Sequence, residues 1–180
     1  MFTDLVLFNY ESRFVDDLKI DRLLSTKIID KQSDIKNAKF PIIFKGEIQT
    51  IRKLIETKKI DIVTNLEEIY PNDNLNFRSS GIDQVVCKLA SKNNIAVAFN
   101  FSLILNNDSF NRAKFLGRMM QNVRLFRKYK VKMIIASFAS NEFELRSKDA
   151  LRSFGICIGM NPKEAKDATE YLNKLVSRRS

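Results

Sequence analysis

The side chains best placed to do chemistry in this sequence are its cations. Between Ser109 and Asn141 there is no acidic residue, while Arg112, Lys114, Arg118, Arg124, Arg127, Lys128, Lys130 and Lys132 all fall in that stretch. Such a run concentrates positive potential on one element and recruits a polyanion, whereas a merely solvated helix face mixes signs to gain i,i+4 pairs. Nine of the twelve arginines lie from Arg78 onward, and their forked donors suit phosphates and a folded RNA backbone. Phe101, Phe110, Phe115, Phe126, Tyr129, Phe138, Phe143 and Phe154 are interleaved with the cations. Aromatic rings can stack on unpaired bases, although Phe115 and Phe126, at helical spacing, read as core.

Catalytic chemistry is more narrowly bounded. The chain has 180 residues, 31 Lys plus Arg against 21 Asp plus Glu, and no histidine. A Ser-His-Asp triad, a Cys-His pair, a His-ligated zinc or iron and an imidazole acid/base are therefore all excluded. Cys87 and Cys157 have no CxxC spacing and read as two reduced, helix-packing thiols. Neither GxGxxG nor GxxxxGK[ST] nor GxSxG occurs, so the usual phosphate loops and nucleophile elbow are unsupported. Asp30, Glu47, Glu67 and Glu68 are the carboxylates that an acid/base pair or a hard metal would need. Their spacing is that of ordinary caps and surface groups.

The charge is divided along the chain. Residues 1–77 carry 12 basic and 13 acidic side chains, and residues 78–180 carry 19 and 8. The length suits a single domain spanning residues 1–180. No window approaches the ~18 consecutive apolar residues of a membrane helix. The first ten residues lack the pattern of a signal peptide, and the expectation is a cytoplasmic protein.

The elements that must position these side chains alternate. Strands are expected at Asp4 to Phe8, Thr26 to Ile29, Pro41 to Phe44, Ile60 to Val63, Ile95 to Phe99 and Lys132 to Ser137; Glu11 to Leu24 is irregular. Helical spacing of apolar residues marks Glu47 to Lys58 and Ile82 to Lys92. A long helix follows the Asp108-Ser109 cap to about Tyr129, and two more run over Ser147 to Cys157 and Pro162 to Val176. In the long helix Ala113, Leu116, Met119, Met120, Val123 and Phe126 form the expected inner stripe, with Lys114, Arg118, Gln121 and Lys128 on the far face and Arg124 nearby. Tyr70 to Ser80 is the main loop. Strands apolar throughout, alternating with helices, predict an α/β fold, either doubly wound or a barrel with parallel strands inside and helices outside. A full eight-unit barrel takes ~250 residues, so a barrel here is short or irregular. Its site would lie at the carboxyl ends of the strands, at Asn9, Asp30, Lys45 to Glu47, Thr64-Asn65, Asn100 with Ser102, and Ser137 to Ser140.

Four segments carry a family resemblance: RSSGIDQVVCKLASKNNIAVAFNFSL from Arg78, LGRMMQNVRLFRKYKV from Leu116, IIASFA from Ile134, and LRSKDALRSFGICIGMNPKEAKDA from Leu145. In order and spacing they resemble the ribonuclease P protein component 3 family of archaea and eukaryotes. The match is poorer before residue 77.

The resemblance implies a TIM-barrel-like βα barrel related to the polymerase and histidinol phosphatase superfamily, in a branch without the metal-binding histidines. It implies a subunit of the ribonucleoprotein that removes the 5′ leader of precursor tRNA, with catalysis by the RNA and its magnesium ions and no cofactor or catalytic residue in the polypeptide. RNase P RNA, protein component 2 and other RNase P protein subunits are the implied partners, and precursor tRNA is the substrate of the holoenzyme. A recurrent arginine of the family falls at Arg146, and Arg78 opens the GID segment. Together with Lys88, Arg112, Lys114, Arg118, Lys148 and Arg152, these are the expected RNA-facing residues. A histidine-free, metal-dependent phosphoesterase and a general RNA-binding or ribosome-assembly protein are the alternative readings.

Overall fold

Each short apolar run becomes a parallel strand. The structure, a computed structural model, describes residues 2–9 and 18–177, so the stretch from Glu11 to Asp17 lies outside the described residues. The strands are β1 (Thr3–Val6), β2 (Arg22–Ser25), β3 (Ile28–Ile29), β4 (Ile43–Phe44), β5 (Ile62–Thr64), β6 (Ala96–Asn100) and β7 (Lys132–Ala136). β1 pairs with β2, and β3 to β7 form a five-stranded sheet in chain order, every pair parallel. Only Thr26 and Lys27 separate β2 from β3, so one stretch of chain pairs with β1 through its first part and with β4 through its second. On the other side Val6 bridges to Ala139 just beyond β7. There the Leu7 N–H donates to the Ala139 carbonyl (2.8 Å) and the Phe138 N–H to the Leu5 carbonyl (2.9 Å). The strands thus follow one another around a ring, a lean TIM-barrel-like arrangement.

Alternation along the strands divides two cores. Leu5, Ile43, Ile62, Ala96, Ala98, Ile134, Ala136 and Phe138 point inward and cluster with Leu172 and Val176. These last two belong to the helix over Pro162–Ser177, whose Asn173 lies 3.4 Å from the Thr3 hydroxyl at the start of β1. The final helix therefore closes the amino-terminal end of the ring, whose interior mixes alanines with leucine, isoleucine and phenylalanine. Val6, Leu23, Ile29, Phe44, Val63, Val97, Phe99 and Ile135 point outward into the second core, under the other helices. With both faces covered, the strands read as unbroken apolar runs rather than alternating ones.

The helices are α1 (Ile48–Glu56), α2 (Gln84–Asn93), α3 (Phe101–Leu105), α4 (Ser109–Tyr129), α5 (Lys148–Cys157) and α6 (Pro162–Ser177). Side-chain caps fix the starts of α2, α4 and α5. Asp83 accepts from the Val86 N–H, Asp108 from the Asn111 N–H and Ser147 from the Ala150 N–H. Asn94 and Lys130 end α2 and α4 in the left-handed conformation.

Three expectations are corrected. β2 and α3 were not anticipated: Leu23 is the one fully buried residue of β2, and α3 is a single turn nucleated by the Asn100 side chain accepting from the Leu103 N–H. Cys87 is buried, and burial pushes its thiol up to about 12, but Cys157 is exposed rather than packed. Along α4 the buried side is Phe115, Gly117, Arg118, Met119, Asn122, Val123 and Phe126, while Ala113 and Met120, expected inside, face solvent. The helix is buried against a polar loop as well as against the core.

Candidate nucleic-acid interface

The carboxyl ends of the strands form one rim, as the alternation requires. Thr64 Oγ1 donates to the Ala98 carbonyl (3.0 Å), Asn100 Nδ2 to Asn65 Oδ1 (3.0 Å), and Ser102 Oγ to the Ser137 carbonyl (2.8 Å). These groups satisfy one another. Asp30, Lys45, Glu47, Asn65 and Glu68 border a shallow hollow of about 400 Å³. Among the described residues no group of three or more carboxylates or thiols is placed to hold a metal ion. Asp4, wholly buried beneath the rim, accepts from the Ser137 N–H (2.8 Å), and burial pushes its carboxyl up to about 6.

The main loop is fastened to α4 by Arg118. This is the principal correction to the sequence-derived site: Arg118 is fully buried, not on an outer face. Its Nη1 donates to the carbonyls of Glu67 (2.7 Å) and Tyr70 (2.6 Å), and its Nε donates to Asp73 Oδ1 (2.8 Å). Nη2 lies 2.7 Å from the same carboxylate oxygen, as an ionic contact rather than a directed hydrogen bond. The Asp73 carboxyl, though partly desolvated, is held below the usual range by the Ser79 N–H and by Arg118. Beside it, Asn122 Nδ2 donates to Glu67 Oε1 (2.8 Å) and to the Ser80 carbonyl (3.0 Å). Burial pushes the Glu67 carboxyl up to about 7, so this second acid sits close to neutral next to an already paired guanidinium. Gly81 completes the fastening. Its φ is +81° and a Cβ there would meet the Leu66 carbonyl oxygen at 1.9 Å, so no other residue fits.

The remaining expected RNA-facing residues are not gathered in one place. Arg112 binds the carbonyls of Ile104 (2.9 Å) and Asn107 (3.0 Å), closing the end of α3. Lys114 Nζ donates to the Pro71 carbonyl (3.1 Å) and lies 5.3 Å from the Phe115 ring centroid. Arg146 binds the Phe143 and Leu145 carbonyls and lies over the Phe101 ring at 5.4 Å. Lys148 and Arg152 share Glu170, at 3.1 and 2.9 Å. Arg78 is exposed and lies across α4 where Gly117 has no side chain; a Cβ there would sit 2.8 Å from Arg78 Nε. Lys88 is exposed on α2, its Nζ 5.8 Å from the Tyr129 ring centroid.

Around Lys88 the structure assembles a face of unpaired cations. Lys128 approaches the same Tyr129 ring at 5.5 Å, and the Tyr129 hydroxyl donates to Gln84 Oε1 (3.1 Å). Lys92, one turn beyond Lys88, and Arg124, one turn before Lys128, are also exposed. No described carboxylate forms an ion pair with any of these four, whereas Arg127 on the next face of α4 is held by Glu164 (2.6 Å). Arg124, Lys128 and Lys92 were absent from the expected RNA-facing set. Their i,i+4 spacing is visible in the sequence, but the meeting of α2 and α4 is not.

A lean parallel βα barrel with its free charge on the helices, rather than at the strand ends, is the class of protein these features define. The family model described as RNase P subunit p30 matches residues 43–180, and the chain belongs to that family. Ribonuclease P protein component 3 of Methanocaldococcus jannaschii is 29% identical over 147 residues, covering 81% of this chain and 60% of the relative. The protein of the same description from Methanococcus maripaludis strain C6 is 28% identical over 134 residues, covering 74% and 54%. The chain thus spans little more than half the length of these relatives. A chain from the cryo-EM structure of archaeal ribonuclease P with mature tRNA superposes with a TM-score of 0.71 at 21% identity, over 98% of this chain and 80% of that one, which supports the barrel fold. Among the described residues no helix is long and apolar enough to cross a membrane.

Two outcomes follow from the Arg118 cluster. Arg118→Met strands the Asp73 carboxylate and two carbonyls, and urea unfolding should show a loss of roughly 3 kcal/mol, the lower end for a broken buried pair because Asp73 is partly exposed. Glu67 has a folded pKa of about 7 against an ordinary 4.5, so between those values the native state binds more protons than the unfolded one. Its contribution is therefore fully present below pH ~4.5 and lost as pH rises through ~7. Thermal unfolding across that window should show a shallower decline for Glu67→Gln than for the wild type.

Proposed function

We propose that this chain is a protein subunit of ribonuclease P, the ribonucleoprotein that removes the 5′ leader of precursor tRNA, and that it binds and stabilises the catalytic RNA while the RNA carries out cleavage. The observation that carries this reading is the α2–α4 face, where Lys88 and Lys128 flank the Tyr129 ring, Lys92 and Arg124 lie exposed one turn away along the same helices, and none of the four ion-pairs with a described carboxylate. Cations already paired within a fold have little left to give a phosphate, while unpaired ones release condensed counterions when they bind RNA. Neutralising backbone phosphates lowers the repulsion that folded RNA must otherwise screen with magnesium, so the protein would supply fixed charge and the Mg²⁺ would stay with the RNA. Family membership and the charge of the second half both support this role. The partners in this reading are RNase P RNA, protein component 2, the other RNase P protein subunits and, for the holoenzyme, precursor tRNA. The same reading carries with it a cytoplasmic site of action.

Reconstitution tests it. Omitting the chain from a reconstituted holoenzyme should raise the magnesium needed for precursor-tRNA cleavage and slow cleavage at low magnesium; an unchanged magnesium profile would refute the role. Replacing Lys88 and Lys128 together by glutamine should weaken RNA binding and reduce the slope of log K against log salt by roughly 0.7–0.9 per lost phosphate contact. An unaltered slope would move the interface elsewhere.

A further inference from the structure

The main loop does more than join β5 to α2. It is tied down at every turn: by Arg118, by Lys114 to the Pro71 carbonyl, by the Asp73 carboxylate accepting from the Ser79 N–H (2.8 Å), and by the Asn74 N–H donating to the Phe77 carbonyl (3.0 Å). A loop so held does not expose apolar groups by fraying. Yet Phe77 is 63% exposed, and Tyr70, at 41%, stands beside it. Both rings border a hollow of about 420 Å³ that also takes in Ile82, Arg78, Asp83 and Gln121. That volume lies within the range of small-molecule sites, roughly 300–1,000 Å³.

The lining is mixed in a particular way. Two exposed rings and an isoleucine supply flat apolar surface. Gln121 Nε2 is fixed by the Arg78 carbonyl (3.1 Å) and Ser80 Oγ (3.0 Å), and its Oε1 accepts no hydrogen bond among the described residues. Asp83 uses Oδ1 to cap α2, and its Oδ2 accepts no hydrogen bond among the described residues. Arg78 is exposed at the rim and ion-pairs with no described carboxylate. Stacking surface, free acceptors and a rim guanidinium together match a nucleotide: its base, the amino groups on the base edge, and its phosphate. An apolar protein partner would leave the two acceptors buried without donors, at a cost. Gln121 lies one turn before the interface residue Arg124 on α4, so the hollow adjoins the cationic face.

We propose that this hollow is a binding site for a single unpaired, amino-bearing nucleobase of an RNA strand, with Phe77 as the stacking platform, Gln121 and Asp83 accepting from the base edge and Arg78 on the phosphate. It rests on the RNA-binding reading of the chain and adds to it a site selective for single-stranded RNA over duplex. Adenine, cytosine and guanine carry the exocyclic amine; uracil does not, and it is the base the site disfavours.

The chain contains no tryptophan, so Phe77→Trp places a sole indole in the hollow. The experiment titrates the full chain with an oligoadenylate, an oligouridylate and a blunt RNA duplex of equal length, reading the fluorescence of Phe77→Trp and, by anisotropy of labelled RNA, the affinities of the wild type and Phe77→Ala. Expected are saturable quenching by the oligoadenylate, a weaker response to oligouridylate, none to the duplex, and a loss of about tenfold or more in oligoadenylate affinity for Phe77→Ala with duplex affinity unchanged. Phe77 is exposed, so neither variant threatens the fold. If the wild type binds RNA while Phe77→Ala binds all three equally well and the indole is not quenched, the base site is overturned and the RNA-binding reading stands. If the wild type binds none of the three, both fall. An indole that responds only to an added RNase P protein subunit would assign the hollow to a protein partner and overturn the proposal.

Discussion

One buried guanidinium, that of Arg118, fastens the loop after β5 to α4. Arg118 lies inside the barrel's helical shell, and its donors demand partners that α4 itself cannot supply. The Glu67 and Tyr70 carbonyls and the Asp73 carboxylate meet that demand. Bringing them there forces the chain after β5 to fold back over α4. Once it has done so, Asn122 must bond Glu67 and Ser80, and residue 81 must be a glycine. Two carboxylates crowd the site with unequal solvation: Asp73 is partly exposed, ionised and paired, while Glu67, wholly buried, is held toward its neutral form. The cluster then carries little net charge, which a low-dielectric setting favours.

That arrangement also explains how a loop rich in Asn, Asp and Ser comes to be rigid. Its backbone groups are consumed by α4, so the loop's apolar tip is presented and not tucked away. The residues around the tip are therefore prepositioned, and a ligand would meet them without an ordering cost. The barrel contributes stiffness beneath. Its polar strand ends bond mainly to one another, while on α2 and α4 the exposed Lys88, Lys92, Arg124 and Lys128 ion-pair with no described carboxylate.

Much of the fold was legible in the sequence because burial on both faces writes itself as unbroken apolar runs. The strands at Ile43, Ile62, Ala96 and Ile134 and the long helix to Tyr129 are legible on that basis; their order left a doubly wound sheet or a barrel open, and the family resemblance pointed to the barrel. β2 escaped because one fully buried leucine in four residues is no pattern. The inner stripe of α4 was misread for a deeper reason: helical periodicity assumes that a buried face is apolar. Arg118 and Asn122 are buried because a polar loop covers them, and Met120 is exposed because nothing does. Of the cations expected to face RNA, Lys88 stands exposed on α2 without an ion-pair partner among the described residues, whereas Arg78, Arg112, Lys114, Arg118 and Arg146 donate to backbone carbonyls and Lys148 and Arg152 pair with Glu170.

By itself the sequence determined the class of strand, the chain order of the elements, the absence of imidazole chemistry and the concentration of positive charge after residue 77, because each depends on composition or on spacing within one element. It also held the motif order that marks the family. Which cations are free was decided only by the tertiary structure. A lysine or arginine reads identically in sequence whether it meets a carboxylate, a row of carbonyls or water. That choice is made by what the fold packs against it: Glu170 against Lys148 and Arg152, a loop against Arg118, and, against Lys88 and Lys128, only the face of Tyr129.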